Sequence, residues 1–462
     1  MSSVAGSVFS PAIEGDLPGR EPLASRERIA IIDILRGIAL LGILLMNIDD
    51  FVGPEGWLHD FPLGLAHPAF VGWHAMLDKA ILALKWTFFE GKMRALFGLL
   101  FGASTVLLLQ RIEQRAGAEK AADVFHRRNM WLIGFGLLHG LVIWNGDILL
   151  TYGVIALLVL YPLRHVAPKR LLVAGLTIWL VGGTLGVVGF MDMPGALAKE
   201  AFLQQAHEAT ASGAPLTEGQ RDALAEEARD TREAPVAMEE SLRDGRRGFI
   251  DSVASNASGY LAFYWKQWTG GLMLEYIGSM IFGMGLFRMG FLTGDLSSRT
   301  YMKVALVSYA VALPLSLGGL WYGFHHDLST GALLKALYCP YMVLQFFAAM
   351  GNASLMILLI RSGRLSMVAG SLAAVGRMAI TNYLFTSILC RFVFSWGPWK
   401  LYGTLEYYQY LYVVVAVWVF NILFSRLWLR HFAFGPVEWV WRSLTYWRWQ
   451  PLQSSPVLPG AQ

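Results

Sequence analysis

Charge is scarce in this chain, and its scarcity excludes most soluble folds. Only 15% of the 462 residues are Asp, Glu, Lys or Arg, against roughly 25% in soluble domains. The shortage is also local. Nothing ionises between Ile38 and Ile48 or between Leu171 and Met191, and His139 is the one titratable side chain between Met130 and Asn145. Cysteine is scarcer still: Cys339 and Cys390 stand alone in apolar runs. They are expected to be reduced core residues, which leaves no disulfide framework and no cysteine metal motif. The net charge of +4 is modest and makes no case for nucleic acid. The first 28 residues, rich in Ser, Pro and Gly, lack the apolar core of a cleaved signal peptide. A disordered cytoplasmic tail over 1–28 is expected, with the first span acting as signal anchor.

Apolar residues, in contrast, make up 55% of the chain, and the mean hydropathy is +0.47. Stretches of roughly 20 apolar residues, enough to cross a bilayer, recur about ten times. They cover 31–48, 86–110, 130–144, 148–163, 171–191, 268–287, 304–321, 336–360, 378–396 and 409–427. The expected fold is an all-α membrane protein, a bundle of about ten transmembrane helices. Seventeen Trp and seventeen Tyr suit interfacial belts. The borderline segment 66–82 carries His67, His74, Asp78 and Lys79, and belongs at the interface or against the bundle.

Basic residues orient the spans. Arg26 and Arg28, Arg111 to Arg128, Arg164 to Arg170, Arg288 to Lys303, Arg361 to Arg377 and Arg426 to Arg448 alternate with short loops holding only Lys79, Lys85, Lys335 and Lys400. By the positive-inside rule both termini are cytoplasmic. A hydrophilic, Ala- and Glu-rich insert at 193–262 then faces outward. It separates five spans in 29–192 from five in 263–430, and 431–462 reads as a Trp-rich interfacial segment and tail. Thr217 and Gln220 have capping-box spacing, which predicts a helix running to Arg232. The insert is either a solvated linker or a lid or docking element.

Polar groups inside hydrocarbon are costly, so each calls for a reason. Asp33 and Arg36 share a helix face at the start of the first span. They are either a snorkelling pair or an anion contact in which Asp33 holds Arg36. Gly37 and Gly42 thin the same helix for close packing. Glu90, Lys92 and Arg94 interrupt the second span and must face the bundle or a water-filled cavity. His139 lies in an apolar span between Gly136 and Gly140, whose spacing permits close helix approach, and the tight turn Asn145-Gly146-Asp147 follows. An imidazole beside a carboxylate suits general base catalysis, which makes His139 and Asp147 the candidate catalytic pair. The bland alternative is a satisfied core histidine. Arg377 stands at the same boundary as Arg36, and Asn382 and Tyr383 head into the bundle. His59, His67 and His74, eight and seven residues apart, match no tight ligand motif, so no metal is expected.

The run Asp33-Ile34-Leu35-Arg36-Gly37 through Asn47 resembles the opening motif of the YeiB-like bacterial membrane proteins. So do Lys92-Met93-Arg94, His139-Gly140 with Trp144-Asn145-Gly146-Asp147, Gly376-Arg377-Met378 with Thr381-Asn382-Tyr383, and Gly435-Pro436-Val437-Glu438-Trp439. The resemblance spans nearly all of 28–445 and implies a bacterial inner-membrane protein of a family without an assigned function. More distantly, Asp33-x-x-Arg36-Gly37 is similar to the transmembrane acyltransferase superfamily that includes heparan-alpha-glucosaminide N-acetyltransferase. That likeness implies acyl transfer from a cytoplasmic acyl-CoA or acetyl-CoA donor to an extracytoplasmic small-molecule, glycan or lipid acceptor. Asp33, Arg36, Lys92, Arg94, Arg377, Asn382 and Tyr383 would then contact the donor, and His139 with Asp147 would activate the acceptor. Those relatives carry a histidine in the loop after the first span, where His59, His67 or His74 could stand. A transporter for a small solute and a membrane scaffold remain the alternatives, and the oligomeric state is open.

Overall fold

The computed structural model describes residues 25–54 and 70–453. Among them the only β pairing is an isolated bridge between Phe432 and Gln453, and the rest of the regular structure is helical. Six helices are long and apolar enough to cross a membrane, or eight if each of two bent pairs counts as one span. Two of the expected spans fall within one apolar stretch, Ala75–Val142, and another is the shorter helix Leu149–Leu160. The protein is an all-helical, multi-pass membrane protein.

The elements are α1 (Ser25–Val52), α2 (Ala75–Phe88), α3 (Lys92–Val142), α4 (Leu149–Ile155), α5 (Pro168–Thr177), α6 (Met193–Ala211), α7 (Glu218–Gly245), α8 (Phe249–Thr269), α9 (Met273–Arg288), α10 (Ser298–His325), α11 (Tyr341–Arg361), α12 (Ser366–Arg377), α13 (Ala379–Arg391), α14 (Tyr410–His431) and α15 (Pro436–Tyr446). Gly117 breaks α3, at φ 83° and ψ 167°, a conformation that costs glycine little and other residues much. The break lies in the arginine-rich stretch after the first half of α3. Phe97 to Arg111 before the break and Phe125 to Leu132 after it line one cavity.

Packing depends on glycine at the tightest crossings. A Cβ at Gly37 of α1 would collide with the Leu372 carbonyl of α12, and one at Gly136 of α3 with the Leu150 amide of α4. Both glycines act as their spacing predicts. The bundle's surface is apolar: Leu158, Val173, Val181, Leu185, Leu306 and Val415 are all exposed. Its interior holds Lys92, Glu275, Gln345 and Asn382, each at most 1% exposed. Such an inside-out distribution suits a lipid solvent. Cys390 is buried as expected, but Cys339 is exposed. Cys339 directly follows a π-helical turn, Leu334–Tyr338, whose i→i+5 bonding shifts the faces off the 3.6-residue period.

Within the insert, α6 and α7 pair through Lys199–Glu226 at 3.0 Å and His207–Glu227 at 2.7 Å. The Lys199 hydrogen bond holds the Glu226 carboxyl below its ordinary range. The predicted Thr217–Gln220 capping box is present, and its helix runs past Arg232 to Gly245. From Phe249 onward the chain packs against the bundle. α8 begins at Phe249 and packs on α3, with the Tyr260 ring against Gly140.

Candidate functional site: an arginine-lined cavity and a buried His–Asp pair

A cavity of about 400 Å³ opens among α1, α3, α12 and α15. Its volume lies within the roughly 300–1,000 Å³ of small-molecule sites. Five arginines line it: Arg36, Arg111, Arg128, Arg377 and Arg442. All five come from segments that the sequence assigns to the cytoplasmic side. Among the described residues two carboxylates, Asp33 and Glu438, share the lining, and both are engaged. Arg36 donates to Asp33 at 3.0 Å, to Ser104 at 2.8 Å and to the Gly376 carbonyl at 3.4 Å. Glu438 accepts from the Ile380 and Thr381 amides at 2.7 and 3.1 Å and from the Thr381 hydroxyl at 2.6 Å. It therefore satisfies the first amides of α13, which have no partner within their own helix. Burial pushes the Glu438 carboxyl above its ordinary range, and the Thr381 hydrogen bonds oppose that push. Arg377 is exposed and donates to the Ala433 carbonyl at 3.3 Å.

The His–Asp pair does not line this cavity. Asp147 Oδ1 accepts from His139 Nδ1 at 2.9 Å, and its Oδ2 accepts from the Leu150 amide at 2.8 Å. Both side chains are fully buried. Because Nδ1–H donates its hydrogen bond to Asp147, Nε2 is the unprotonated, basic nitrogen, and it is buried without a partner. Leu149 and Tyr152, which flank or follow that amide, line the cavity. So does Leu132, seven residues before His139, or about 10 Å along a helix. The Tyr383 ring lies 5.0 Å from the imidazole. Its hydroxyl accepts from the Ile148 amide at 3.3 Å and donates to the Gly146 carbonyl at 3.4 Å, fastening the turn that carries Asp147.

Other candidates lie elsewhere. Arg94 makes a two-pronged pair with Glu275, both bonds at 3.0 Å. Gln345 donates to Glu275 at 2.7 Å and accepts from the Trp179 indole at 2.7 Å. Lys92 donates to the Trp86 carbonyl at 2.5 Å and sits over the Trp86 and Tyr341 rings, and Tyr341 donates to Glu90 at 3.3 Å. Neither Lys92 nor Arg94 lines the arginine cavity. Asn382 is buried, donating to Ser425 at 2.8 Å and to the Val375 carbonyl at 3.2 Å. His59 and His67 lie outside the described residues. His74 bonds Asp78 at 2.6 Å, and no metal-binding group of three or more His, Cys, Asp or Glu occurs among the described residues.

Sequence reasoning missed Arg111, Arg128, Arg442 and Glu438 as cavity residues. It read α15 as an interfacial anchor, yet Trp441 is buried and donates to the Arg128 carbonyl at 2.8 Å. Arg391 was missed as well. Its Nε donates to the Ile143 carbonyl at 3.1 Å and its Nη2 to Asn256 Oδ1 at 3.2 Å, tying α13 and α8 to the end of the His139 helix.

Residues 286–448 match a family described as protein of unknown function (DUF418). The uncharacterized protein YeiB of Escherichia coli (strain K12) is 30% identical over 430 residues, covering 91% of this chain and 96% of that one. The uncharacterized protein YxaH of Bacillus subtilis (strain 168) is 28% identical over 436 residues, covering 94% and 98%. An uncharacterized 39.9 kDa protein from the amylase 3' region of Bacillus acidopullulyticus is 26% identical over 432 residues, covering 94% and 98%. No solved structure matches. With full-length similarity at this level, and with the helical architecture and the separated motifs in order, the chain belongs to the YeiB-like family of multi-pass membrane proteins.

Proposed function

We propose that this protein is an acyltransferase of the bacterial inner membrane, with about ten spans and both termini cytoplasmic. It would move an acyl group from a cytoplasmic acyl-CoA-type donor to an acceptor on the other side. The observation that carries the proposal is the arginine-lined cavity, together with a buried His139–Asp147 pair on the helices that line it. Arg36 and Arg377 hold donor phosphates, a task that suits the planar, two-pronged guanidinium. His139 Nε2 takes the proton of an acceptor hydroxyl or amine as that group attacks the thioester carbonyl. The new C–O or C–N bond forms, the C–S bond breaks, and the leaving thiolate receives the proton. Asp147 orients the imidazole and stabilises its charged form.

A solute transporter is the weaker reading. Of the intramembrane groups it would use, Glu90, Lys92, Arg94 and His139, the first three are held by hydrogen bonds to Tyr341, the Trp86 carbonyl and Glu275.

Calorimetry with acyl-CoA on the detergent-purified protein, alongside Arg36→Ala and Arg377→Ala, tests the donor site. Saturable binding weakened in both variants supports it. No binding at millimolar donor removes the acyl-CoA reading and brings transport forward. Transfer to an acceptor, lost in His139→Ala, tests the chemistry.

A further inference from the structure

We infer that Arg128 and Arg442 form a second anion subsite in this cavity, so that its ligand carries at least two phosphate groups. The inference deepens the transfer proposal and rests on it for taking the cavity as the donor's entry. The anion subsite itself stands on geometry.

Both guanidiniums are half-buried, and neither forms an ion pair among the described residues. Their close partners are aromatic faces: Arg128 lies 3.6 Å from the Trp441 ring centroid and Arg442 lies 4.3 Å from that of Phe434. A guanidinium stacked on a ring keeps its N–H donors in its own plane, free to grip a phosphate at the edge. Burial makes an uncompensated charge costly, and a neighbouring like charge adds to the cost. Glu438, the nearest lining carboxylate on α15, spends its oxygens on α13 amides and Thr381. Among the described residues, five arginines against two carboxylates leave a formal excess of three positive charges in one cavity. A single phosphate diester carries one negative charge and would leave most of that excess unmatched. A diphosphate with a further phosphomonoester would match it. Lipid-linked diphosphates share the diphosphate alone, whereas coenzyme A-type nucleotides carry the further phosphomonoester as well.

The test uses the full chain in detergent, with coenzyme A, dephospho-coenzyme A, pantetheine and a polyprenyl diphosphate as probes. Affinity should fall in the order of the first three as phosphates are removed. Arg442→Gln should weaken coenzyme A by roughly 10- to 100-fold, the value of one charge-assisted bond, and leave dephospho-coenzyme A nearly unchanged. Arg442→Lys should recover part of the loss. Ligand-free melting of both variants shows that the fold is intact. Equal affinity for coenzyme A and pantetheine overturns the inference, as does an Arg442→Gln variant that binds coenzyme A like the parent. Binding of the polyprenyl diphosphate alone, sensitive to Arg442→Gln, supports the subsite while overturning the coenzyme A donor. Coenzyme A binding without any transfer supports the subsite and counts against the transfer proposal.

Discussion

Gly376 lies backbone to backbone against Asp33: a Cβ at position 376 would collide with the Asp33 carbonyl oxygen, and Arg36 donates to the Gly376 carbonyl. The crossing of α1 and α12 thus sets the distance between Arg36 and Arg377 at the cavity mouth. Gly376→Ala should force the helices apart, lower the melting temperature by the equivalent of about 1–3 kcal/mol, and weaken donor binding. Gly370→Ala, on the same helix with open space at its Cβ, should be neutral or slightly stabilising. Equal melting temperatures for the two variants would contradict this account.

The His139–Asp147 pair predicts a split between stability and turnover. Asp147→Ala leaves the His139 Nδ1 and Leu150 amide protons buried without acceptors, at about 1–3 kcal/mol. His139→Ala removes the base and should cut transfer by roughly 10²- to 10⁴-fold while donor binding persists. Turnover and calorimetry on one preparation decide it. Full activity in His139→Ala would remove the histidine from the mechanism.

Arg94 and Glu275 should matter for folding alone. Truncating either, as in Arg94→Met or Glu275→Leu, strands a buried charge and should cost about 3–5 kcal/mol. The double variant should recover part of that loss. Coenzyme A affinity, measured on whichever variants fold, should stay at the parent level. A selective loss of affinity would return Arg94 to the donor site.

Glu438 predicts a pH dependence of defined sign. Burial raises its carboxyl above the ordinary range, so the folded state favours the neutral form. Its contribution is complete below the unfolded Glu value, about 4.3, and is lost as pH rises through the raised folded value. Relative to Glu438→Gln, the parent's melting temperature should therefore fall as pH rises through that window. A difference that stays constant, or grows with pH, would refute the assignment.

Local physics made much of this protein legible in one dimension. Hydrocarbon demands long uncharged helices, so the spans stand out wherever charge disappears. Asp33 and Arg36 share a face at three-residue spacing, Gly136 permits close approach, and Thr217 caps three residues ahead of Gln220; each relationship is complete within one or two helical turns. His139 and Asp147 were also readable, because a tight turn folds α4 back along α3 and brings the two together.

Only the tertiary structure decided which distant charges meet. Arg94 finds Glu275 across 181 positions, which sets it apart from the cavity that Arg36 shares with Arg377. Arg128 and Arg442 join that cavity because α3 breaks at Gly117 and α15 folds inward on Trp441. Those pairings depend on how whole helices cross. Periodicity fixes the face each helix presents, but the partner that face meets is chosen by packing summed over the entire bundle.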